Sequence, residues 1–399
     1  MLSKTFADFF ESEKSSALVL LACTVLCLLI ANSAWGPGYT DFWRQKVFGL
    51  SLEHWVNDAL MAVFFLLIGL ELERELYVGE LSSLKNALLP IVAAIGGIVV
   101  PAGVHFALNS GTPTQAGTGI PMATDIAFAL GALALLGSRV PPMLKVFMTA
   151  TAVMDDLGAI IVIAVFYSTQ FSLVHLLGAL AVLGVLAIFN RVLRITALTP
   201  YLLGGAIMWF LMVKSGVHAT ISGVLLAFAI PFEPRSRDTE QRGLLPGLPE
   251  ESPSHRLEHV LHKPVAFVIL PLFALANTGV VFDSHWQQGI FNPNSLGIIA
   301  GLVLGKPVGI VLLSYVAVAS GMCRLPVDLT WRHLIGVGLL AGIGFTMSIF
   351  ITNLAFASQP DFVNTSKMAI LVASVSAGLL GMLWLTLTGP KNHPNRSMG

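Results

Sequence analysis

Long apolar runs, each about the length needed to cross a bilayer, constrain this chain before any other feature does. One of them, from Val146 to Tyr167, is uncharged apart from two adjacent aspartates, Asp155 and Asp156, near its middle. A segment of about 20 apolar residues reads as a transmembrane helix, yet each Asp at its centre costs roughly 2.5–3.5 kcal/mol on insertion scales. A cost of that size needs a reason, and moving charge across the membrane supplies one.

Hydrophobic residues make up 55% of the 399 and charged residues 11%, with a mean hydropathy of +0.80. No water-soluble domain of this size carries such a surface. Split at Gly, Pro and charge clusters, the sequence gives about twelve spans. They lie near 16–32, 56–72, 88–108, 121–137, 147–168, 173–190, 198–213, 217–231, 261–281, 295–320, 333–355 and 366–388. These blocks lack the alternating ten-residue strands of a closed β-barrel, so the expected fold is an all-α integral membrane protein, a single polytopic domain over 1–399.

Cytoplasmic loops accumulate Lys and Arg. With both termini placed on that side, only Arg44, Lys46, Lys214 and Lys367 of the 22 basic residues fall opposite, while Lys306 lies within a span. The net charge of zero thus conceals an asymmetry across the bilayer, and no basic, aromatic-interleaved patch suggests a nucleic-acid partner. Cys23, Cys27 and Cys323 lie in or beside spans without a metal set around them and read as small core residues. The stretch 233–256 is charged and rich in Pro, Gly and Ser, a solvated cytoplasmic loop. The segment 36–53 reads equally as an external hairpin or an interfacial loop.

Besides Asp155 and Asp156, the spans bury Asp125 and Lys306. Three potential negatives against one positive leave a surplus that hydrocarbon cannot hold without cations or protons. Neighbouring helix residues point about 100° apart, so one of the adjacent pair can meet Lys306 while the other faces a cavity. Oxygen-only surroundings suit a hard cation such as Na+ or Li+. The fourth span opens at Pro121 and carries Thr124 and Asp125; the eleventh holds Gly336, Gly338, Gly342 and Gly344 before Phe345 and Thr346. Unwound backbone at that depth exposes half-helix ends that need partners. Glu71, Arg74 and Glu75 share one helix face at the end of the second span, and Glu258, His259 and His262 open the ninth; these read equally as solvated helix ends. His218 reads as a hydrogen-bonded interfacial histidine.

The strings ATDIAFALG (123–131), DDLGAI (155–160), SGVHAT (215–220), LEHVLH (257–262), GKP (305–307) and GIGFTMSIFI (342–351) resemble the bacterial sodium/proton antiporter A family, from the first span to the last. The resemblance implies two inverted-topology repeats with crossed broken helices at spans 4 and 11, an architecture of which that family is itself a known example. It implies an ion-binding core at 88–168 and 295–388, with interface helices at 16–72 and 198–281. It further implies an inner-membrane homodimer that is not an enzyme, needs no cofactor, and exports Na+ or Li+ for protons, electrogenically and under pH control. Carried over by motif, Asp156 is the principal ion ligand and proton carrier and Asp155 its partner, paired with Lys306. Asp125 and Thr124 balance the crossed half-helix ends around Gly342 and Gly344. Glu71, Arg74, Glu75, Glu258, His259 and His262 form a pH-responsive funnel. Glu73, and Lys263 and Pro264 after His262, depart from the family's pattern. The rival reading is a cation-coupled symporter of a small organic solute, which calls for an organic-sized pocket lined by polar or aromatic groups.

Overall fold

The computed structural model describes residues 13–168, 172–232, 252–282 and 286–388. Among them, ten helices are long and apolar enough to cross a membrane, and a further helix pair is bent by 48° at a short break. In chain order the elements are α1 (Lys14–Ala31), α2 (Leu52–Tyr77), α3 (Leu84–Asn109), α4 (Pro113–Leu136), α5 (Pro142–Phe166), α6 (Leu173–Arg191) and α7 (Leu198–Ser215). They continue with α8 (Ile221–Ala227), α9 (Pro253–Asn277), α10 (Pro293–Ala319), α11 (Trp331–Ala341 with Phe345–Ala355) and α12 (Pro360–Thr388). Large apolar side chains such as Leu29, Val165, Leu203 and Leu387 are exposed, as lipid-facing residues are where hydrocarbon replaces water.

Three expectations are corrected. The eighth element is a helix of 7 residues rather than a span over 217–231, about 10 Å long at 1.5 Å per residue and too short to cross. It can be short because Ser222, Gly223, Val224, Leu226 and Ala227 are buried, and irregular backbone is tolerated where protein rather than lipid surrounds it. The fourth span does not open at Pro121: a 3-10 coil occupies Pro113–Met122, an extended break follows at 123–125, and the α-helix starts at Ile126. The loop expected over 233–256 ends earlier. Residues 233–251 lie outside the described set, but Ser252 caps a helix whose first residue is Pro253, the pairing that favours a helix start.

Two compact units divide the chain. The first comprises Met1–Trp43, Glu80–Val162 and Phe273–Gly399; the second comprises Arg44–Gly79 and Ile163–Leu272. In the first, α3 and α10 cross so closely that a Cβ at Gly96 would fall 2.1 Å from the carbonyl oxygen of Gly309, and one at Gly309 would fall 2.0 Å from that of Gly96. Small residues at membrane helix crossings permit this approach. The helix α1 joins this unit, where the Tyr39 hydroxyl donates to the Leu275 carbonyl at 2.6 Å and Cys27 donates to the same oxygen at 3.3 Å. In the second unit, α2, α6, α7, α8 and most of α9 close around Leu70, Tyr201, Met208 and Ile230.

The segment 36–53 is neither of the expected alternatives alone: a helix, Gly36–Arg44, is followed by strands β1 (Lys46–Val47) and β2 (Leu50–Ser51). Phe48 and Gly49, between the strands, both have positive φ (52° and 88°), as two-residue hairpin turns of the primed type require.

Candidate functional site

The breaks in α4 and α11 supply the charged groups of the first unit with their partners. Asp125 ends the extended break of α4 and caps the helix Ile126–Leu136, its Oδ1 accepting from the Phe128 amide at 3.2 Å. Its Oδ2 accepts from the Thr346 amide at 3.0 Å and from the Thr346 hydroxyl. Thr346 opens the second half of α11, so one carboxylate serves the N-termini of two half-helices. Each such terminus carries roughly half a positive charge, which is how a carboxylate 2% exposed is held in a membrane protein.

The opposite half-helix ends meet hydrogen-bond donors. Lys306, fully buried, donates to the Met122 carbonyl at the end of the 3-10 half of α4 and to Asp155 Oδ2 at 2.5 Å. It follows a π-helical turn at Gly301–Gly305, and Pro307, which has no N–H to give the helix ladder, follows it. The Thr124 hydroxyl lies 2.6 Å from Asp155 Oδ2 and 3.0 Å from the Ala341 carbonyl that ends the first half of α11. Its single proton serves one of these acceptors at a time. Asp155 Oδ1 has no hydrogen-bond partner among the described residues, and it faces Gly97, where a Cβ would lie 3.7 Å away. Asp156, 1% exposed, acts electrostatically on the same lysine ammonium.

Gly342 and Gly344 serve close approach. A Cβ at Gly342 would fall 2.3 Å from the Leu302 carbonyl oxygen, and one at Gly344 would fall 2.3 Å from Ser348 Oγ and 3.0 Å from the Ala123 carbonyl oxygen. Thr124, Asp125, Asp155, Asp156 and Lys306 are all buried in the one unit, beside the close approach that these glycines permit.

The residues of the suggested funnel lie in the second unit and are brought together only in part. Arg74 pairs with Glu75 at 3.3 Å and with Glu258 at 3.1 Å, and His255 approaches Glu258 at 3.5 Å. Glu71 lies one helical turn before Arg74 and Glu75, half-buried. His259 and His262 are exposed; the histidine taken into the chain of pairs is His255, which sequence reasoning missed although its i,i+3 spacing to Glu258 was available. Glu73 is buried, and the Ser254 hydroxyl donates to its Oε2 at 2.8 Å. A carboxylate at that position thus fastens the first turn of α9 to α2. His218 is hydrogen-bonded, as expected, through Nε2 to the Tyr167 carbonyl at 2.8 Å. Other missed partners are backbone atoms, the carbonyls of Met122 and Ala341, together with the Thr346 side chain.

A many-spanned helical membrane protein that buries three carboxylates and an ammonium beside two broken spans is of the ion-coupled membrane transporter class. Residues 7–385 match the model of the family described as Na+/H+ antiporter 1. The chain is similar to the Na(+)/H(+) antiporter NhaA of Dechloromonas aromatica, 70% identical over 385 residues that cover 96% of each chain. It is 55% identical to Na(+)/H(+) antiporter NhaA 1 of Flavobacterium johnsoniae, over 98% of this chain and 99% of that one. To the Vibrio campbellii Na(+)/H(+) antiporter NhaA it is 45% identical, over 98% and 97%. The chain belongs to the Na+/H+ antiporter 1 family.

Proposed function

We propose that this protein exchanges Na+, or Li+, for protons across the bacterial inner membrane, with Asp155 and Asp156 as the ligands for which the two kinds of cation compete. The observation that carries the reading is the balance of charge in the first unit. Asp125, Asp155, Asp156 and Lys306 are its fully buried charged residues among those described, and the half-helix ends enter as two positive and two negative ends. The ends offset one another, which leaves three carboxylates against one ammonium. Monovalent cations are what the surplus calls for, and both protons and Na+ satisfy carboxylate oxygens.

Because both cargoes need the same oxygens, a site that opens alternately to either side exchanges them without a separate coupling device. One Na+ removes one unit of a two-unit surplus, whereas two protons remove both, so the balance favours more protons entering than sodium leaving. Each net charge moved inward gains about 2.3 kcal/mol per 100 mV of membrane potential, which is how such exchange drives sodium uphill. The Glu71, Arg74, Glu75, His255 and Glu258 group supports a pH-responsive region with the cytoplasm on its open side, as the Lys and Arg distribution suggests. A homodimer is part of the same reading, supported by the hairpin whose tip, Phe48, is 94% exposed at a φ that non-glycine residues rarely adopt.

The test is sodium-dependent proton movement in everted membrane vesicles, with Na+, Li+ and K+ compared across a pH series. Asp156→Asn is expected to abolish exchange while the protein remains folded. Full exchange in that variant refutes the site assignment.

A further inference from the structure

At the ends of α3 and α5 that share one membrane face, and against the connection between α10 and α11, lies a half-open pocket of about 550 Å³. Two basic side chains, Lys85 and Arg324, line it together with one acidic side chain, Glu80, which leaves a positive balance. Neither Lys85 nor Arg324 forms an ion pair among the described residues. Below these charges the wall is apolar, with Leu89, Phe147 and Ala150. Of its lining residues Val327 is fully exposed and Met322 is 59% exposed. Polar charge above, hydrocarbon wall below and bare apolar side chains at the rim form the profile of the headgroup boundary of a bilayer.

We propose that this pocket binds the headgroup of an anionic phospholipid, with the phosphodiester between Lys85 and Arg324 and the first chain methylenes along Leu89 and Phe147. Basic pockets between transmembrane helices on the cytoplasmic side recognise anionic headgroups in this way, and the loop charges place this pocket on the Lys- and Arg-rich face. A free phosphate meets the same two cations but gains nothing from the apolar wall or from Met322 and Val327. The lipid would tie together α3, the span that carries Asp155 and Asp156, and the connection that leads into the broken span α11.

The test is lipid retention by the purified full-length protein, read by native mass spectrometry. Phosphatidylglycerol is expected to be held about thirtyfold more tightly than phosphatidylcholine, each basic side chain contributing of the order of fivefold. The Lys85→Gln/Arg324→Gln variant is expected to lose that preference, whereas Lys214→Gln, at a residue outside the pocket, retains it. Equal retention of the two lipids, undiminished retention in the double variant, or displacement of phosphatidylglycerol by millimolar inorganic phosphate overturns the proposal. Should the double variant fail to fold, Val327→Glu brings a like charge to the mouth from a fully exposed position; the same loss of preference is then expected, and its absence is equally fatal.

Discussion

The double role of Asp125 can be measured directly. Replacing a capping residue with Ala costs about 0.5–2 kcal/mol per helix, and Asp125 serves two. Its removal also leaves the buried Thr346 hydroxyl without its acceptor, which adds about 1–3 kcal/mol. Asp125→Ala is therefore expected to cost roughly 4 kcal/mol, and Thr346→Val, which deletes the hydroxyl but keeps the amide, roughly 2 kcal/mol, the range for a hydrogen bond to a charged group. Since the hydroxyl bond is counted in both singles, the double variant is expected to lose about 4 rather than 6 kcal/mol, a coupling of about 2 kcal/mol between residues in contact. Unfolding by SDS in mixed micelles, followed by tryptophan fluorescence, provides the four free energies. Additivity within about 0.5 kcal/mol would refute the argument that one carboxylate holds both half-helices.

Lys306→Gln is expected to lower the melting temperature strongly while leaving the order of Na+ and Li+ preference in vesicles intact, because breaking a buried pair costs about 3–5 kcal/mol; an unchanged melting temperature counts against the pairing with Asp155. Burial, and next the Cys27 thiol, push the Tyr39 hydroxyl of the Gly36–Arg44 helix well above its ordinary value. The folded state therefore favours the protonated phenol, and its stabilising share is complete below about pH 10 and falls only above it. Tyr39→Phe should accordingly cost about 1 kcal/mol, equally at pH 7 and pH 9, and a loss present only at pH 7 would contradict this. His255→Gln is expected to slow exchange in the vesicle assay more than His259→Gln or His262→Gln does, since among the described residues His255 is the histidine that pairs with Glu258; an equal effect of all three would remove His255 from its place.

What could be read in the sequence was what cost free energy to bury. Asp125, Asp155, Asp156 and Lys306 stood out because no lipid-facing or packing role explains a charge inside an apolar run. The glycines around position 342 marked a break because helices spend them only where something comes close. The helical ends were less legible. Pro113–Met122 carries no pattern that separates a 3-10 coil from a loop, and α8 reads as a full span because its residues are as apolar as those that face lipid, although they face protein. The Ser254 bond to Glu73 and the Lys306 bond to the Met122 carbonyl join residues 181 and 184 positions apart. No local periodicity encodes contacts of that separation.

The cluster also explains how occupancy of a carboxylate could be felt by the backbone that surrounds it. Asp155 Oδ2 is shared by the Lys306 ammonium and the Thr124 hydroxyl, and each donor has a second acceptor on a broken span: Met122 for the lysine, Ala341 for the threonine. Under the proposed competition, a cation or proton that takes the Asp155 oxygen releases these donors toward the two half-helix C-termini, where negative partial charge awaits them. The change at the carboxylate is thereby converted into stronger holding of Met122 and Ala341, the residues that end the first halves of α4 and α11. A binding event needs a differential contact of this kind to bias one conformation over another. Asp125, bound to the two N-termini, takes no part in the exchange of donors and keeps the second halves in place while the first halves respond.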